Sequence, residues 1–199
     1  MPSRAATTQL VLSCVVLGTG VVLLLRAALG ADGYSTMVSG LSRSAGIPFA
    51  AANCVVGVGF VLLAWRRGTI PGPGTLVQPV LVGVTVSVGL GLLGAPDGLT
   101  ARVAFLLLAL PLVCTGVAGY LGSGTGAAPA EAAALAYDPP VPFRWTYTAV
   151  QAGGAITGAL LGASVGVGTI IVTLMLGPMV DALLVRVRGL DRRPRAVVH

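Results

Sequence analysis

The chain has 199 residues, 55% hydrophobic and only 9% charged, with a mean hydropathy of +0.94 and a formal net charge of +6. A water-soluble domain carries about 25% charged residues, so this composition excludes a soluble globular fold and points to lipid as the surrounding solvent. The basic residues, all arginine, flank apolar runs instead of clustering on a polar face, which argues against nucleic acid as a partner and for anchoring at a bilayer surface.

The apolar runs predict six transmembrane helices, at about 8–29, 47–65, 75–93, 103–122, 145–164 and 169–187. The first run, Thr7 to Leu25, is longer than the roughly 7–15 residues of a signal-peptide core, so it is read as a retained helix. Trp65-Arg66-Arg67 closes the second run and Phe143-Arg144-Trp145 opens the fifth, each pairing interfacial aromatics with cations. Pro111 predicts a kink within the fourth. Between the spans, the short stretches 34–45 and 129–137 read as re-entrant or interfacial helices. With both termini in the cytoplasm of a bacterial inner membrane, nine of the twelve arginines lie inside and Arg26, Arg43 and Arg102 outside, as the positive-inside rule requires.

The two halves of the chain echo each other. Gly72-Pro73-Gly74-Thr75-Leu76 recurs as Gly166-Val167-Gly168-Thr169-Ile170, and Gly30-Ala31 recurs as Gly126-Ala127. Three spans per repeat force the second copy upside down, which makes an inverted-topology repeat. The expected architecture is therefore all-α: one polytopic membrane domain of two inverted three-helix repeats, residues 1–97 and 98–187, followed by a basic cytoplasmic tail, 188–199.

Several residues are candidates for chemistry. Thr75 and Thr169 can N-cap the helices that follow their glycine turns; those helix N-termini could equally present N–H groups to an anion. Asp181, three residues after Pro178 in the last span, costs about 2.5–3.5 kcal/mol at mid-helix. It is expected to face the bundle interior as a substrate or proton site, or else to snorkel toward Arg186. Its repeat equivalent is Ser87, within the small-residue row Gly83, Ser87, Gly91, and a second such row is Gly154, Gly158, Gly162. Asp32 and Glu131 each place a carboxylate near the start of a short helix, where the helix dipole favours it. Arg26 could pair with Asp32 or snorkel outward. Cys14, Cys54 and Cys114 sit in apolar runs and read as free, small hydrophobes. With the single histidine at position 199, no metal site and no cofactor are expected.

Leu25-Arg26-Ala27-Ala28-Leu29-Gly30-Ala31, the two glycine–threonine turns, and Gly177-Pro178 with Asp181 make the chain resemble the YczE/YyaS/YitT-like group of bacterial integral membrane proteins. That resemblance implies a multi-span inner-membrane protein and supplies no substrate. After the first span the chain reads Gly30-Ala31-Asp32-Gly33-Tyr34-Ser35, without the proline and tryptophan usual in that group. No catalytic triad or paired-carboxylate hydrolase motif is present, so no enzyme activity is expected. The leading expectation is a small-molecule or ion transporter with its site between the repeats. The alternative is a non-transporting scaffold whose basic tail holds anionic lipid or a membrane or cytoplasmic protein partner.

Overall fold

The computed structural model describes residues 3–69, 71–138 and 140–186; the basic tail, 188–199, lies outside them. The described residues form eight helices: α1 (Arg4–Ala27), α2 (Gly33–Ala45), α3 (Phe49–Arg66), α4 (Pro73–Leu92), α5 (Gly98–Gly122), α6 (Pro129–Leu135), α7 (Phe143–Leu160) and α8 (Val167–Arg186). Each expected span is a helix, and the two short stretches between them are α2 and α6.

Local chemistry sets the ends of these helices. Ser3 caps α1 by accepting from the Ala6 N–H at 3.2 Å, and the helix ends at Ala28, which takes a left-handed φ of 51°. Asp32 caps α2 through Ser35, and Gly46 stops it at a φ of 65°, a conformation that glycine reaches without strain. Helices α4 and α8 start at Pro73 and Val167, two residues before the expected positions. Thr75 and Thr169 are therefore not at the N-cap position itself. Each sits inside the first turn and accepts from the backbone N–H of the glycine that opens it, Gly72 at 3.1 Å and Gly166 at 3.4 Å.

Helices α1, α3, α4, α5 and α8 are long and apolar enough to cross a membrane. Their outward faces carry Leu12, Val58, Leu76, Leu107 and Leu174, all exposed. Such a continuous apolar surface has no stable partner in water, so the molecule is a multi-pass helical membrane protein. Helix α7 matches α3 in length at 18 residues but falls short of a span in apolar character. It spends positions on Arg144, Thr146, Thr148, Gln151 and Thr157, and it buries Gln151 against α2.

Helices α1 and α5 pack together at the centre. A Cβ added at Gly116 would lie 2.7 Å from the Leu17 Cα, and one at Gly20 would lie 2.9 Å from the Val113 nitrogen, so glycine lets the two backbones meet. The remaining packing comes in matched pairs: α1 on α4 and α5 on α8, α3 on α4 and α7 on α8, α2 on α7 and α6 on α3. Each short helix thus rests on the long helix of the opposite half. Of the row Gly154, Gly158, Gly162, the first two bring α7 onto α2, facing Gly33, Thr36 and Gly40. Gly162 meets nothing within 4 Å and ends the helix at a φ of 85°. In the other row a Cβ added at Gly83 would lie 3.0 Å from the Ala50 Cα of α3, whereas Gly91 faces open space.

Candidate functional site

The two glycine–threonine turns hold the loops that lead to the short helices. Gly74 donates its N–H to the Thr125 carbonyl at 3.0 Å, and Gly168 donates to the Leu29 carbonyl at 2.8 Å. Thr75 also donates its hydroxyl to the Ala127 carbonyl at 2.6 Å. These N–H groups, which the sequence offered as anion donors, are occupied by backbone carbonyls of the other half. The turns clasp; they do not present an open anion site.

Held this way, α2 and α6 converge on a small cavity of about 30 Å³. Asp32 and Glu131 both line it, from opposite halves, at 5% and 4% exposure. Asp32 Oδ2 accepts from the Ser35 N–H at 3.0 Å, the capping bond that sets its rotamer. Glu131 Oε1 accepts from the Tyr147 hydroxyl of α7 at 2.6 Å, and the buried Tyr120 hydroxyl stands beside the same carboxyl without closing a hydrogen bond in this geometry. Burial pushes the Asp32 and Glu131 carboxyls up from the ordinary carboxylate range, against the downward pull of their hydrogen bonds.

Amide side chains and tyrosines complete the polar part of the wall. Asn53 of α3 donates to the Pro79 carbonyl at 2.6 Å, inside the proline-bearing helix α4. Tyr34 of α2 donates its hydroxyl to the Asn53 carbonyl at 3.4 Å. Behind it, Gln151 of α7 accepts the Tyr34 N–H at 2.8 Å and so caps α2 from the opposite half. Leu17, Val21, Val82, Val113 and Leu176 supply the apolar part of the lining, and no arginine is among the described lining residues.

The candidates from sequence divide clearly. Asp32 and Glu131 come together. Thr75 and Thr169 are buried in the clasps, outside the cavity lining. Ser87 is half-buried on α4, its Oγ without a hydrogen-bond partner, and also outside the lining. Asp181 does not face the interior: it is exposed on the outer side of α8. The helix turns Leu176, Val180 and Leu184 inward, and position 181 is rotated about 100° from 180. Arg26 neither pairs with Asp32 nor snorkels; it donates to the Leu90 carbonyl at the C-terminal end of α4, where the helix dipole favours a cation. Asn53, Gln78, Tyr34 and Tyr147 were not among the candidates. A lone amide in an apolar run is itself a signal, because it is expensive unless it faces a partner.

This architecture and cavity define a class: a multi-pass helical membrane protein enclosing a small cavity rich in hydrogen-bond acceptors. The chain belongs to a family of unknown function, DUF6198, whose model matches residues 5–184. It is similar to an uncharacterized protein of Haemophilus influenzae, 23% identical over 172 residues that cover 85% of this chain and 78% of that protein. No solved structure matches it.

Proposed function

We propose that the protein is a small-molecule or ion transporter of the bacterial inner membrane, with no enzymatic activity, working as two inverted repeats around the cavity. The observation that carries this reading is the meeting of Asp32 and Glu131, one from each half, on one small cavity. Buried carboxyls within a membrane bundle are costly to keep and serve ion or substrate pathways when they face its interior. The matched packing pairs and the two reciprocal clasps support the repeat. Three spans per half would then thread the halves in opposite senses, a design suited to alternating access. The likeness to the YczE/YyaS/YitT-like group agrees with an inner-membrane location, and the arginine distribution favours cytoplasmic termini.

Comparing metabolites in cells and medium of strains with and without the gene identifies the solute, and uptake into proteoliposomes then tests the site. Asp32→Asn and Glu131→Gln should each lower the initial rate at least tenfold in protein that remains monodisperse. Asp181→Asn, on the outer face, should retain the wild-type rate. A well-folded Asp32→Asn/Glu131→Gln double variant that transports normally would remove the cavity from the mechanism.

A further inference from the structure

Two acceptors on the cavity wall have no donor. Asp32 and Gln78 are 5% and 6% exposed, and both line the cavity. Yet Asp32 Oδ1 and Gln78 Oε1 each lack a hydrogen-bond partner. Buried acceptors of this kind are normally satisfied. The Ser35 N–H is committed to Asp32 Oδ2, with the Ser35 hydroxyl beside the same carboxyl, the Tyr147 hydroxyl to Glu131, and an Asn53 amide N–H to Pro79; the unbonded Tyr120 hydroxyl stands beside Glu131, outside the cavity lining. With no arginine among the described lining residues, the wall itself supplies no cation to these two oxygens.

Size narrows the choice. A cavity of about 30 Å³ holds one or two water-sized bodies and suits a small ion better than an organic ammonium group with its carbon frame. A divalent ion such as calcium is held by several carboxylates at once, whereas the described lining residues include two. Resting on the transporter reading of this same cavity, we propose that its ligand is a small monovalent cation that keeps part of its water and takes Asp32 Oδ1 and Gln78 Oε1 as ligands. Glu131 supplies a second carboxyl on the same wall.

Thermal unfolding of the purified full chain in lipid nanodiscs tests this without requiring transport. At fixed pH and ionic strength, lithium, sodium or potassium chloride replaces N-methyl-D-glucamine chloride, whose cation cannot enter. One alkali cation should raise the melting temperature saturably, by about 5–10 °C at a hundredfold excess over its dissociation constant. Asp32→Asn should abolish the rise. Gln78→Met, which keeps the volume and removes the oxygen, should weaken the apparent affinity at least tenfold, and it decides the matter alone if Asp32→Asn does not fold. Identical melting in all four chlorides, or an unchanged rise in Gln78→Met, overturns the inference; the two orphan oxygens would then be bridged by water. Cation binding by a protein that moves no solute would keep this inference and end the transporter reading. Solute uptake by a protein whose melting ignores cations would do the reverse.

Discussion

Helices α2 and α7 meet backbone to backbone, and one neighbouring pair of glycines isolates what that contact is worth. A Cβ at Gly154 would lie 2.6 Å from the Gly33 carbonyl oxygen and 2.9 Å from its carbon. Carbon–oxygen contacts settle at about 3.3–3.6 Å, so Gly154→Ala must part the helices by about 0.7–1.0 Å. No flexible side chain is there to yield. At Gly153, one residue away, an added Cβ meets nothing within 4 Å. Both substitutions gain the same helix propensity, up to about 1 kcal/mol. Their difference therefore reports overpacking alone, about 1–3 kcal/mol. At about 2–4 °C per kcal/mol for a chain of this size, Gly154→Ala should melt about 2–12 °C below Gly153→Ala, measured by a thiol-reactive dye on the buried Cys14 and Cys114. Because Gly33 follows Asp32 directly, Gly154→Ala should also reduce uptake while Gly153→Ala leaves it intact. Equal melting temperatures for the two variants would refute the close approach of α2 and α7.

Two further outcomes follow from the clasps and the cavity. Thr75 makes two hydrogen bonds and Thr169 one to its own turn, so at about 0.5–1.5 kcal/mol per bond Thr75→Val should destabilise about twice as much as Thr169→Val in the same dye assay; the reverse order would contradict the assigned partners. Burial raises the Glu131 carboxyl above its unfolded value, so its contribution to stability is complete below the ordinary carboxylate range and is lost as pH rises through the raised value. The wild-type melting temperature should fall across that interval more steeply than that of Glu131→Gln, and parallel profiles would show that Glu131 is not buried.

The helices were legible in the sequence because lipid demands long apolar runs and glycine interrupts them. Even the short helices α2 and α6 were marked by what precedes them, Gly30-Ala31 and Gly126-Ala127. What periodicity left open was rotation. In a run that is apolar all round, Asp181 carries no signal of which side it takes, and its neighbour Val180 is the one that points inward. The glycine–threonine turns were legible as turns, but their partners were not, since a carbonyl contact to Thr125 or Leu29 leaves no trace in side-chain identity. The convergence of Asp32 with Glu131 depends on the short helices crossing to the opposite half, a tertiary event. Asn53 and Gln78 were the readable hint: two amides in otherwise apolar helices, both buried.

The clasps also set an order in time. From Gly74 to Thr125 the chain runs about 50 residues, whereas from Leu29 to Gly168 it runs about 140, and ribosomes add about 5–20 residues per second. One buckle can therefore fasten within seconds of its first part leaving the ribosome. The Leu29 carbonyl waits about 7–28 s, until nearly the whole polypeptide exists. During that interval the first four helices sit in the bilayer with the seat of the second buckle open, so a nascent chain stalled before Gly168 would be the form that quality-control proteases meet.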